Sequence, residues 1–254
     1  MLNEFLSLNI FSFFMVFARI GTAVVFFPGF GSTYVSIRIR LVFGLALSFV
    51  LTPILFDLLP ERPTSVAELF LMFIGEVVVG GFLASIARIL VAILQITGTF
   101  VSLFASMANS LVQDPVTEQQ TSTISSFFGI VGLIAIFAAD LHHLMIRSIV
   151  DGYELFVPGQ PLIFGDFSMS IARRIADAFA LGLQLAMPVA LVSLIYYIGL
   201  GILGRLMPQL PVFFFGLPFQ LTVQIWIMSI TVSGLMIVFL RQFSETYAPY
   251  LKTQ

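Results

Sequence analysis

Cysteine is absent from the 254-residue chain, lysine occurs once, and only 9% of the residues are charged. Without cysteine there are no disulfides, no thiolate nucleophile and no cysteine-ligated metal. The formal net charge is −2 and the few arginines form no basic run. Nothing in the chain tracks a phosphate backbone, so nucleic acid is set aside as a partner. A GxSxG elbow and a P-loop are missing, no glycine-rich dinucleotide fingerprint is placed between a strand and a helix, and no serine stands out beside a histidine base. Enzymatic chemistry and a bound cofactor are therefore not expected.

Apolar surface is what the chain has in abundance: 59% hydrophobic residues and 29 phenylalanines, with a mean hydropathy of +1.08. A soluble domain of this length has too little interior to hide so much. Apolar runs fall at about Phe5 to Phe27, Leu41 to Leu59, Leu69 to Leu94, Ile124 to Ile149, Ile175 to Leu203 and Phe219 to Leu240. Each approaches or exceeds the roughly 20 residues that cross a hydrocarbon core as a helix, which predicts six spans and an all-α membrane protein. The N-terminus carries Glu4 where a signal peptide carries positive charge, and the apolar run that follows is too long for an h-region. It reads as a retained helix. Pro158, Gly159 and Pro161, between the fourth and fifth runs, mark the best boundary between two halves.

Charge does not orient these spans. With the N-terminus outside, inner loops hold Arg38, Arg40, Arg88 and Arg205, while outer segments hold Arg62, Arg147, Arg173, Arg174, Arg241 and Lys252. Four against six is no positive-inside bias: either these span boundaries are wrong or the chain does not come to rest as a simple serpentine bundle. Arg19, Glu76, Asp140, His142 and His143 lie inside apolar runs, where an unpaired ionisable group is costly. These charges are expected to face protein or water, with Arg19 and Glu76 as an intra-bundle pair. A proton path or faces buried against partner subunits are the other readings, and Arg88 and Asp140 are candidates for them. "DLHHL" at Asp140 to Leu144 is the one acid and histidine cluster. Adjacent histidines on a helix point to different sides, whereas metal ligands favour i, i+3 or i, i+4 spacing. A local Asp140–His143 pairing is therefore expected, and no metal. Small residues in "GEVVVGGFLASIARI" (Gly75, Gly80, Gly81, Ala84, Ser85, Ala87) suit close helix approach.

Two stretches resist the simple pattern. From Leu206 to Leu240 there is no charge, about 50 Å as one helix, and Pro208, Pro211 and Pro218 are expected to break it. "LGRLMPQLPVFFFGLP" then reads as a tight turn between two long helices, with Arg205 where a cation meets the free carbonyls of the first. The other stretch is "SMANSLVQDPVTEQQTSTIS", an island of small polar side chains starting at Ser106. A helix is expected to reach Val112, to end at Asp114 and Pro115, and to be followed by a helix capped through the serines and threonines before Ile124. The island is either a plain extramembrane loop or irregular backbone at depth, which only protein or a water-filled cavity tolerates. Tipped with Met and Leu, it also has the makings of a pore constriction.

The turn string closely resembles that of the FliR family of flagellar export-gate proteins: Gly204, Arg205, Pro208, Gln209, Gly216, Leu217 and Pro218 match its spacing. Ala18-Arg19, "VSIRIRLVFGLALS", "GEVVVGGFLA", Asp114-Pro115 and "LQLAMPVALV" extend the resemblance over essentially the entire chain. One departure is Thr99, after Gly98, where many members carry an acid. The resemblance implies a non-enzymatic subunit of the type III export apparatus in the bacterial inner membrane, at the flagellar basal body. It implies a FliP-like portion over 1–167 and a FliQ-like hairpin over 168–254. Implied partners are FliP, FliQ, FlhB, FlhA and the rod protein FliE, with membrane lipid around the chain, unfolded flagellar proteins as export substrates and the assembled core facing the periplasm. By position, the family's plug loop falls on about Ser106 to Ser122. That implies pore roles for Phe104, Met107, Asn109, Leu111, Val112, Asp114 and Pro115. A reading from another class is an autonomous ion-coupled transporter using Arg19, Glu76 and Asp140. Transporters commonly show paired broken helices, and only one proline-broken hairpin is visible here.

Overall fold

A computed structural model describes residues 2–32, 34–106, 111–113, 120–160, 164–207, 209 and 212–251. The chain is an all-α membrane protein. Its elements, in order, are α1 (Leu2–Phe26), α2 (Ile37–Leu55), α3 (Val66–Phe104), β1 (Leu111–Gln113), β2 (Gln120–Ser122), α4 (Thr123–Ala138), α5 (Leu141–Leu155), α6 (Phe164–Leu206) and α7 (Val212–Tyr247). Single 3₁₀ turns follow α2 and α7. Four helices among the described residues are long and apolar enough to cross a membrane, or five if α4 and α5 count as one broken span. Six were expected. The described apolar part of α1, Ile10–Phe26, falls short of that length.

The boundaries depart from expectation in four places, each for a local reason. The third run is one continuous helix to Phe104 instead of an apolar helix with a polar extension to Val112. It continues through polar positions because their hydroxyls bond back to its own carbonyls: Thr97 to Ile93 O at 2.8 Å, Thr99 to Gln95 O at 2.8 Å and Ser102 to Thr99 O at 2.8 Å. Such back-bonding satisfies the hydroxyl without water. Ser106, in the left-handed region at φ 57°, turns the chain away. The fourth run is two helices. Asp140 also has φ 57° and ends the first, a conformation that acidic residues tolerate better than most. The last helix starts at Val212 and contains Pro218, so "FGLP" belongs to its first turns and the hairpin turn is shorter than predicted. A proline there removes one amide donor, and the helix runs on to Tyr247. Likewise α6 starts early, at Phe164, and passes through Pro188.

Two compact units are built from discontinuous stretches. One comprises residues 1–90, 136–175 and 243–254, the other residues 91–135 and 176–242. In the first unit α1 and α2 meet where both lack side chains, a Cβ on Gly44 reaching Gly21 Cα at 3.6 Å. Gly80 brings α3 against α1 so closely that a Cβ would collide with the Arg19 carbonyl. Phe11 on Phe73, and Phe82 on Phe156, Phe167 and Tyr250, extend the packing, and the Tyr247 hydroxyl donates to Leu83 O at 3.1 Å. In the second unit Gly98 does for α3 and α4 what Gly80 does for α3 and α1, since a Cβ would strike the Ser125 backbone. Gly182 on α6 lies over Ile96, and Phe100 packs edge-on to Phe179.

Much apolar surface stays outside. Phe49 and Ile54 on α2, Ile195 and Ile198 on α6, and Phe219, Trp226 and Ile237 on α7 are exposed, as lipid-facing or partner-facing helices require.

The glycine contacts predict an asymmetry. Gly80→Val should destabilise the purified protein by about 1–3 kcal/mol through overpacking. Gly81→Ala, whose added carbon meets only Thr22 Cγ2 at 3.8 Å, should leave it unchanged. Thermal unfolding of the two variants in detergent checks this.

Candidate functional site

In the first unit an ion pair is set in an apolar interior. Arg19 is fully buried and Glu76 nearly so. Arg19 Nε donates to Glu76 Oε2 at 2.7 Å and Nη2 to Oε1 at 3.0 Å, while Nη2 also donates to Phe156 O at 2.9 Å. The guanidinium lies over the Tyr153 ring, 3.8 Å from its centroid. This is the bidentate geometry in which arginine and carboxylate bond most strongly. Arg19 Nη1 and the Tyr153 hydroxyl are buried and unpartnered. A cavity of about 610 Å³ opens beside the pair, lined among others by Leu71, Met72, Val79 and Gln160. The structure thus brings Arg19 and Glu76 together and leaves Arg88 and Asp140 apart from them. Arg88 is exposed, its guanidinium 6.0 Å from the Phe26 ring, and Asp140 is exposed at the α4/α5 break.

The second unit holds the foot of the polar island. A helix ends with carbonyls that have no partner in the next turn, and at α3 one of these is Phe104 O. Two side-chain amides from α7 meet it, Gln220 Nε2 at 3.3 Å and Gln224 Nε2 at 3.1 Å. Each amide is also held by α6: Gln220 Nε2 donates to the Tyr197 hydroxyl at 3.0 Å and Gln224 Nε2 to Ser193 Oγ at 2.6 Å. Ser106, just beyond the helix, shares a hydrogen bond with the Tyr197 hydroxyl. Thr97 Oγ1 also reaches Gly182 O on α6 at 3.1 Å, and Ser125 Oγ on α4 donates to Gln95 O at 2.8 Å. At the far end of the island Ser122 Oγ accepts the Ser125 amide at 3.1 Å and caps α4. Between these anchors β1 and β2 pair antiparallel, Leu111 opposite Ser122, Val112 opposite Thr121 and Gln113 opposite Gln120.

Of the pore residues expected from sequence, Phe104 is half-buried at the end of α3 and Leu111 and Val112 lie on β1. Met107, Asn109, Asp114 and Pro115 lie outside the described residues, as does Pro208 of the turn. Arg205 stands exposed in the last turn of α6, and Gln209 and Pro218 are exposed. Gly216 is buried; its carbonyl accepts from the Tyr196 hydroxyl, and a Cβ there would lie 3.0 Å from that oxygen and from Leu200.

Sequence reasoning missed the clamp residues Ser193, Tyr197, Gln220 and Gln224. A signal was present: Ser193 and Tyr197 are four residues apart, as are Gln220 and Gln224, so each pair sits on one helical face. Two amides on one face of the charge-free stretch of an apolar helix demand partners. Gln220 Oε1 and Gln224 Oε1 are buried without one, so the clamp is only half satisfied.

The family model for bacterial export proteins, family 1, matches residues 10–246. Among curated proteins, the flagellar biosynthetic protein FliR of Caulobacter vibrioides is 29% identical over 231 residues, which is 91% of this chain and 92% of that protein. The protein of the same name from Bacillus subtilis is 29% identical over 240 residues, covering 92% of this chain and 91% of its own length. That from Escherichia coli is 24% identical over 229 residues, or 89% and 84%.

Removing one member of a buried ion pair strands the other. Glu76→Leu should therefore cost about 3–5 kcal/mol. The double variant Arg19→Met with Glu76→Leu should regain most of that, because no bare charge remains. A double-mutant cycle on unfolding in detergent measures the coupling, and purely additive losses would contradict it.

Proposed function

We propose, for a chain that belongs to the bacterial export proteins, family 1, that it is a core subunit of the flagellar type III protein export gate. In this reading it assembles with FliP and FliQ around a channel for unfolded flagellar proteins, and the loop near 106–122 helps to close that channel. The observation that carries the closing role is the clamp on Phe104 O by Gln220 and Gln224. It anchors one foot of the loop to α7, while the Ser122 cap anchors the other to α4. Between the anchors, side chains that are mostly small and uncharged, Asp114 and Glu118 apart, let varied unfolded chains pass without a deep binding minimum, and Met107, Leu111 and Val112 supply an adaptable apolar seal. The subunit acts through assembly and gating, with no catalytic step of its own.

Helix length supports an assembled core raised from the inner membrane toward the periplasm. α3 has 39 residues and α6 has 43, about 58 and 65 Å at 1.5 Å per residue, roughly twice a ~30 Å hydrocarbon core. Polar groups and an indifferent charge bias then need no explanation from lipid. The exposed apolar faces of α2, α6 and α7 suit FliP and FliQ as neighbours, with FlhB and FlhA at the cytoplasmic side and FliE above. An ion-coupled transporter needs carboxylates that change partners, and Glu76 is held at both oxygens by Arg19.

Two measurements test this proposal. Native mass spectrometry after co-expression with FliP and FliQ should find one copy of this chain among several of each; a monomer indifferent to both partners would sink the assembly reading. Within the assembled complex, deleting Asn109 to Thr121 should raise ion leak severalfold. Gln220→Leu with Gln224→Leu removes both bonds to Phe104 O, about 1 kcal/mol each and so a roughly 30-fold shift toward the open state, and should leak as well. Unchanged leak in a complex of normal composition rules out the closing role and leaves the assembly role standing.

A further inference from the structure

The chain has two histidines in all, and both stand at the break between α4 and α5. Side by side in a regular helix they would diverge. His142 and His143 follow Leu141 in the first turn of α5, after the left-handed Asp140, yet their rings approach each other. The two imidazole rings lie 4.1 Å apart, centre to centre. His142 is stacked on Phe137 at 4.9 Å, and Phe137 in turn meets Phe30 at 5.6 Å, so one ring is fixed by an aromatic train. His142 Nδ1 is shielded from solvent and has no hydrogen-bond partner. His143 Nδ1 stands 3.8 Å from Asp140 Oδ1, beyond a hydrogen bond. One potential ligand atom from each of Asp140, His142 and His143 falls within 4.8 Å of the others.

We propose that Asp140, His142 and His143 form a binding site for a divalent transition metal ion of the zinc class. Two imidazoles and one carboxylate select such ions over magnesium or calcium, which take oxygen ligands. A zinc ion about 2.0–2.2 Å from each ligand leaves the ligands roughly 3.5 Å apart, so the present spacing closes by about 1 Å through side-chain rotation. Asp140 and His143 are 78% and 70% exposed along their side chains, which gives them that freedom and gives the ion an entry path. Three protein ligands leave a fourth position for water or for an acceptor group from outside the chain. Bound there, the ion satisfies the stranded nitrogen of His142. It also ties the residue that breaks the helix to the first turn of α5, holding the break in its present conformation.

The test uses the full chain in detergent with a tag free of histidine, titrated calorimetrically with Zn²⁺ alone. With no cysteine and no other histidine in the chain, competing sites are weak. One Zn²⁺ per chain is expected, with affinity at least tenfold lower in His143→Gln and in Asp140→Asn, both exposed positions whose substitution spares the fold. Zn²⁺ should also raise the unfolding midpoint of the unmodified chain and not that of His142→Gln with His143→Gln. Absence of stoichiometric uptake, or uptake unchanged in the double variant, overturns the proposal. Neither readout depends on gate assembly.

Discussion

The first unit depends on one constraint: a charge may enter an apolar helix interior only if its partner enters with it. Arg19 and Glu76 lie 57 residues apart in the chain and share two hydrogen bonds. Both side chains are buried, so α1 and α3 are held in one register; any axial slip would strand a guanidinium and a carboxylate without their partners. The rest of the neighbourhood conforms to that register. Gly80, one turn beyond Glu76, lets the α3 backbone approach the Arg19 carbonyl. The Tyr153 face and the Phe156 carbonyl complete the shell from α5 and its end. The pair sets position more than it adds stability, since well-packed apolar residues of similar volume often serve stability as well.

The same rule, applied to neutral polar groups, organises the second unit. An apolar chain with frequent serine, threonine and glutamine must find an acceptor or donor for each. The hydroxyls of α3 do so locally, by bonding to carbonyls within the same helix. The glutamines of α7 cannot, and they reach the Phe104 carbonyl at chain separations of 116 and 120 residues. That carbonyl is free because α3 ends there. One defect in hydrogen bonding, the helix end, therefore answers another, the buried amide. The place where they meet is also where the regular backbone stops and the polar island begins, which puts these contacts beside the segment proposed to close the channel.

Backbone geometry at two aspartate or serine positions has effects beyond its size. Ser106 and Asp140 both take φ near 57°, and each ends a helix that hydropathy alone would carry further. At Ser106 the result is a loop footing; at Asp140 it is a helix break that sets a carboxylate just before two imidazoles whose rings lie 4.1 Å apart.

Local composition and periodicity, which any reader of the sequence has, determined the all-α membrane class, the apolar runs, the island of small polar residues and the strings that carry the family resemblance. They also offered Arg19 and Glu76 as partners, because an apolar chain with so few charges leaves few choices. Helix ends were legible only to within a turn or several, since a hydroxyl that bonds back to its own helix and a proline in the first turns both look like breakers in sequence. The clamp on Phe104 and the approach of Asp140, His142 and His143 were decided by tertiary structure alone. A hydrogen bond or a ligand set is a matter of a few tenths of an ångström between groups that the chain brings from far apart or from across a break. Sequence spacing fixes which face of a helix a residue occupies, and packing fixes what that face meets.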